Sequence, residues 1–216
     1  MPDINEIIFS PNSSIDAEIK TMLPQFSPES QARMRRAILN VKKSAMKHQD
    51  ENTDANARHI FREFIPASIL NQNGFSFEYE KPIEGKKPDW LDTSSNIMLE
   101  SYTFERGASS AFIDRLTSSI AGKCSKYKNI ITANCFRFIV VVYLDFLSCM
   151  TLDDCSEDPK MFRPVFDAND CLWAILFFAE TNIIGGRQQY EFFCLCADPS
   201  YRAIPNWPFK TIYLNQ

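Results

Sequence analysis

Two carboxylates, Asp89 and Glu100, lie within the segment GKKPDWLDTSSNIMLESYTF, which runs from Gly85 to Phe104, at a spacing that a β-hairpin would turn into an opposed pair. Asp89 follows Pro88 at the start of one expected strand, the polar run Asp92 to Asn96 reads as a turn, and Ile97 to Phe104 reads as the second strand. A turn centred on Ser94 and Ser95 sets Asp89 opposite Glu100. Directly opposed side chains on one sheet face have Cβ atoms about 5 Å apart, near enough for two carboxylates to share a hard cation such as Mg²⁺ or Mn²⁺. Without a cation they repel. Taken singly, Asp89 also suits a turn aspartate after proline, and Glu100 a solvent-facing strand residue, although glutamate is depleted in strands.

The elements that must hold this pair are legible on both sides of it. Met1 to Gln25 reads as a loosely packed arm or one short helix from Ile15 to Leu23, and Ser27-Pro28-Glu29 opens a longer helix, with Ser as N-cap, Pro at the first helical position, and Met34, Ile38, Val41 and Ala45 at helical spacing. Gln49 to Asn56 reads as a linker. Ala57 to Leu70 reads as a helix with the apolar stripe Ile60, Phe61, Phe64 and Ile65, kinked or restarted at Pro66, and Phe75 to Glu80 alternates like a strand. After the hairpin, Ser109 and Ser110 cap a helix from Ala111 to about Lys128, flanked by Lys123 and Lys126. Phe138 to Leu144 and Leu172 to Ala179 are continuous apolar runs of the kind buried on both faces of a sheet. Leu147 to Asp170 reads as an irregular excursion with helical turns, and a Gly185-Gly186 turn leads to a last strand, Tyr190 to Cys196. This order predicts an α/β fold, a mixed sheet flanked by helices, with a helical N-terminal extension over 1–55 and an α/β domain over 56–216.

Composition narrows the chemistry. The chain of 216 residues is 45% apolar and carries a formal charge of −4, which does not advertise a nucleic-acid binder. The charge is uneven, however: Arg33, Arg35, Arg36, Lys42, Lys43 and Lys47 run from Arg33 to His48 with no acid among them, a pattern of a solvated helix face or of a polyanion contact. Seven cysteines with no C-x-x-C pair and no zinc-finger spacing predict free thiols and a reducing, cytoplasmic setting. No apolar run is long enough to span a bilayer, His48 and His59 lack ligand-spaced partners, and neither a G-x-S-x-G elbow nor a Gly-rich phosphate loop is present.

Pro88-Asp89, the step of eleven residues to Glu100 and the position two beyond it resemble the PD-(D/E)XK nuclease superfamily over roughly residues 56 to 205. The resemblance implies a restriction-endonuclease-like fold and a Mg²⁺- or Mn²⁺-dependent endonuclease that hydrolyses phosphodiester bonds in DNA or RNA. It also implies Asp89 and Glu100 as metal ligands and Glu63, on the preceding helix, as a third acid. The superfamily's acid-x-Lys tripeptide puts a carboxylate and an ammonium on one strand face, whereas this chain has Tyr102 at the lysine position. A phenol with a pKa of about 10 donates a hydrogen bond but supplies no positive charge. The segment Gly122 to Tyr127 resembles the superfamily's helix after the hairpin, which makes Lys123 the favoured replacement, with Lys126 and Lys87 as the others. A second reading keeps the fold without catalysis, as a module that binds nucleic acid or a protein partner. A homo-oligomer is compatible with either.

Overall fold

The computed structural model describes residues 14–48, 53–104, 112–144, 151–184, 187–197 and 204–214. Helices α1 (Ser14–Met22), α2 (Pro28–His48) and α3 (Thr53–Gln72) precede three strands, β1 (Glu78–Tyr79), β2 (Trp90–Asp92) and β3 (Ile97–Phe104). Next come α4 (Phe112–Asn134), β4 (Arg137–Leu144), the short helices α5 (Leu152–Glu157) and α6 (Arg163–Asp167), and β5 (Leu172–Ile184), β6 (Arg187–Cys196) and β7 (Thr211–Tyr213). The strands form one seven-stranded sheet in sequence order. β1, β2 and β3 pair antiparallel, β3–β4 and β4–β5 parallel, β5–β6 antiparallel and β6–β7 parallel. The architecture is therefore α/β with a mixed sheet.

Alternation along the strands divides the core between two helical layers. In β4, Ile139, Val141 and Tyr143 meet Met34, Ile38, Phe61 and Phe64 from α2 and α3, while Phe138, Val140 and Val142 meet Leu116, Ile120 and Tyr127 from α4. Burial on both faces accounts for the unbroken apolar run of this strand. The N-terminal helical region contributes to the first layer: Ile19, Leu23 and Phe26 share a cluster with Trp90, Leu99 and Val141.

Several elements differ from their expected bounds for identifiable reasons. Only Glu78 and Tyr79 of the expected Phe75–Glu80 strand pair in the sheet, because the neighbouring N–H groups are spent on side chains: Ser76 N donates to Asp92 Oδ2 (3.0 Å) and Phe77 N to Asn71 Oδ1 (2.8 Å). The expected linker after α2 is shorter, since α3 already begins at Thr53. Pro66 does not divide α3. Its ring leaves the Arg62 carbonyl without a helical donor; on the next residue, the Glu63 carbonyl accepts a hydrogen bond from Trp90 Nε1 at 2.8 Å. α4 runs past Lys128 because Ile130 and Ile131 continue its buried stripe, and it ends where Cys135 adopts a left-handed φ of 54°. The Gly185-Gly186 turn and the Ser109-Ser110 cap lie outside the described residues, although Ile184 and Arg187 on either side of the two glycines pair antiparallel. Among the described residues, no helix is long and apolar enough to cross a membrane.

Candidate functional site

The β2–β3 register pairs Trp90 with Leu99, Leu91 with Met98 and Asp92 with Ile97, so continuing it by one residue sets Asp89 opposite Glu100. The turn between the strands is built by Asp92, whose Oδ1 accepts from Ser94 N (2.9 Å), Ser94 Oγ and Ser95 N (3.1 Å). Burial pushes the Asp92 carboxyl up, but the hydrogen bonds from Ser94, Ser76 and Ser95 outweigh it and hold the pKa below its ordinary value. Asn96 closes the turn with a φ of 54°, a left-handed conformation that asparagine tolerates.

Asp89 and Glu100 then clasp one another's strands. Asp89 N donates to Glu100 Oε1 at 3.2 Å, and Ser101 N donates to Asp89 Oδ2 at 2.7 Å. Glu100 is only 2% exposed. Its charge is met from α4, where Lys123 Nζ lies 2.8 Å from Oε2 and Lys126 Nζ 3.8 Å from Oε1. Both lysines reach it because Glu100 lies on the sheet face that α4 covers, in phase with the buried Met98. Tyr127, also on α4, donates from its hydroxyl to the Lys87 carbonyl at 2.8 Å and so fixes the chain just ahead of Pro88 and Asp89. On the other face Trp90, fully buried, lies against Phe26 (5.0 Å between ring centroids), Tyr79 (4.9 Å) and Phe64 (6.0 Å).

A cavity of about 390 Å³ opens beside this pair, walled by Arg33, Arg36, Ala37, Asn40 and Val41 of α2, Ile60 and Glu63 of α3, and Tyr79, Glu80, Lys87 and Asp89. Glu63 and Asp89 thus face one space. Burial raises Asp89 to about 6, with the Glu100 charge adding to the rise and the Ser101 N–H, Lys123 and Lys126 opposing it. Glu63 is raised to about 8 by burial and then by Asp89, with Lys123 the opposing charge. The Tyr79 hydroxyl is 3.5 Å from Glu63 Oε2, and its own pKa is driven up by burial and by Glu63. Glu80, on the cavity wall, has a left-handed φ of 45°, a strained conformation for a residue with a Cβ.

The expected site residues are therefore partly gathered. Asp89, Glu100 and Lys123 meet, Lys126 joins them as a longer contact, and Glu63 shares the cavity with Asp89. Among the described residues, no three His, Cys, Asp or Glu side chains form a group arranged to hold a metal ion. Tyr102 is partly buried against the α4-side cluster. Of the basic run on α2, Arg33 is turned inward, with Nε donating to the Tyr79 carbonyl and Nη2 3.5 Å from Glu78 Oε2. Arg35 donates to Gln31 Oε1 at 3.3 Å, and the side chains of Lys42, Lys43, Lys47, His48 and His59 lie outside the described residues. The described cysteines are free thiols. Sequence reasoning missed Trp90, Tyr79 and Tyr127 as the residues that fix the site. A large aromatic directly after the Pro-Asp pair, followed by another apolar residue, Leu91, was the available signal for Trp90. Comparisons with protein-family models, curated proteins and solved structures gave no match to this chain.

Proposed function

We propose that this protein is a metal-dependent, nuclease-like hydrolase of phosphodiester bonds in DNA or RNA, with a restriction-endonuclease-like arrangement of its sheet. The observation that carries the reading is the convergence of Asp89, Glu100 and Lys123 at the β2–β3 hairpin, beside a cavity whose rim bears Arg36 and Lys87. Lys123 stands for the ammonium that Tyr102 cannot supply. It approaches from a helix instead of from two residues along the strand, and meets the same carboxylate.

The donor chemistry suits Mg²⁺ or Mn²⁺. The acids offer oxygen only, and Mg²⁺ binds through one or two carboxylates plus water and substrate phosphate, so a third protein ligand is not required. Asp89 and Glu100 would hold the ion, which when bound supplies charge neutralisation at the phosphate and lowers the pKa of water. A cation there would also relieve the repulsion that, with burial, holds Asp89 above the ordinary carboxylate range. Lys123 orients Glu100 and contributes fixed positive charge where negative charge grows in the transition state. Glu63, largely protonated at neutral pH through its burial, serves as a proton-bearing wall of the cavity.

The second reading, a non-catalytic module of the same fold, draws support from one feature: both oxygens of Glu100 already face protein donors. A nuclease assay over single-stranded and duplex DNA and RNA, with Mg²⁺ or Mn²⁺ and with Asp89→Ala beside wild type, separates the two. Metal-dependent cleavage lost in Asp89→Ala supports the enzyme. Absence of cleavage across all substrates and metals favours the binding module.

A further inference from the structure

The cavity wall formed by α2 combines two kinds of surface. Arg36 and Asn40, spaced by four residues and therefore neighbours on one helix face, line the cavity and are exposed, as is Lys87. Unlike Arg33, which is tied to Tyr79 and Glu78, Arg36 and Lys87 have no ion-pair partner among the described residues. Ala37, Val41 and Ile60 line the same space with apolar surface. Cations on the rim and apolar side chains within match the two ends of a nucleotide, an anionic phosphate and a base with an apolar face.

Size decides between a paired and an unpaired nucleotide. At about 390 Å³ the cavity is at the small end of sites that take a single small molecule. A duplex keeps its bases stacked inside, so a base reaches an apolar wall beside its own phosphate only when it is unpaired or extruded. We propose that this cavity binds an unpaired nucleotide of a single-stranded nucleic acid, with Arg36 and Lys87 on its phosphates and Ala37, Val41 and Ile60 against its base. This inference deepens the nuclease reading and rests on it for the choice of ligand. It places the phosphodiester beside Asp89, which lines the same cavity.

The test is fluorescence anisotropy of the full-length protein with a labelled oligothymidylate strand and a blunt duplex of equal length, in Ca²⁺, over a salt series. The single strand is expected to bind at least about ten-fold more tightly than the duplex, and Arg36→Ala and Lys87→Ala each to weaken it several-fold while lowering the salt slope by about 1. Arg36→Lys should recover most of the affinity, and unchanged melting of these surface variants separates a lost contact from misfolding. Equal or tighter duplex binding, or an unchanged salt slope in both alanine variants, overturns the inference. Strand-selective binding without cleavage in Mg²⁺ or Mn²⁺ supports the cavity assignment and overturns the nuclease reading, whereas cleavage with no preference for unpaired substrate overturns the cavity assignment alone. Failure to bind either oligonucleotide overturns both.

Discussion

Lys123 Nζ lies 2.8 Å from Glu100 Oε2, joining a lysine side chain that is 23% exposed to a glutamate that is 2% exposed. The pair ties α4 to β3 at the point where the β2–β3 hairpin brings in Asp89. Glu100 is the buried member, so the arrangement depends on which partner is removed.

Lys123→Ala leaves the buried carboxylate with the 3.8 Å contact to Lys126, the Asp89 N–H and the nearby Tyr127 hydroxyl. Breaking a fully buried pair costs about 3–5 kcal/mol. Because Lys123 is partly solvated and Lys126 remains, the expected loss is smaller, about 1–3 kcal/mol by urea denaturation. Under the proposed function the same variant should abolish turnover while leaving Mg²⁺ affinity largely intact, since a contact made in the transition state lowers rate more than ground-state binding. Cleavage that survives Lys123→Ala would return attention to Lys126 or Lys87.

Glu63 makes stability depend on pH in a direction opposite to that of an ordinary salt-bridged acid. Its pKa is raised from 4.5 to about 8 by burial and by Asp89, so in that interval the folded state binds more protons than the unfolded state. Stability must then fall as pH rises through the interval. The Asp89 shift to about 6 acts in the same sense over a narrower range. Glu63→Gln, which keeps the shape and removes the ionisation, should melt at or above the wild-type temperature at about pH 9 and lose that advantage at about pH 5. Melting curves of the two proteins that stay parallel across this range would show that Glu63 ionises normally.

The same raised acids set the signature of metal binding. A cation shared by Asp89 and Glu100 favours the charged form of the raised Asp89, so Mg²⁺ or Mn²⁺ should release protons from it and raise the melting temperature more at about pH 8 than at about pH 6. Calorimetric titration in buffers of different ionisation enthalpy reads the released protons directly. Asp89→Ala should remove both the heat and the stabilisation, and a wild-type protein that gives neither would leave Asp89 and Glu100 as a structural clasp.

The hairpin was legible because its signals are local. Pro88 before Asp89 and the Asp92–Asn96 turn residues, centred on Ser94 and Ser95, fix a register without help from the rest of the chain, and the observed pairing follows it. The buried runs of β4 and β5 carried the layered sheet in the same way. Long-range packing was not legible. Phe75 to Glu80 has strand-like alternation, yet Asn71 and Asp92 take its N–H groups through side chains, a competition that no period reveals. Glu63 could be placed near Asp89 only through the family resemblance, since no local signal of its helix tells how α2 and α3 meet β1 around the shared cavity. β7 is too short to read: its three residues pair with β6 only because the preceding segment returns Lys210 to Cys194.

The N-terminal helices supply the last prediction. Phe26, at the turn between α1 and α2, is 4% exposed and lies 5.0 Å from the Trp90 ring, whose indole N–H in turn holds the Glu63 carbonyl. Removing that ring opens a cavity directly behind the residue that follows Asp89. Phe26→Ala should therefore destabilise the whole protein by about 3–5 kcal/mol, with a single unfolding transition, and Phe26→Leu by less. Because Trp90 is fully buried, its emission should move to longer wavelength in Phe26→Ala, and placing a fluorescence probe on the α2 side should report the same midpoint as Trp90. Two separate transitions, or a Phe26→Ala variant as stable as wild type, would show that the helices before the sheet fold as an independent attachment and do not brace the Asp89 site.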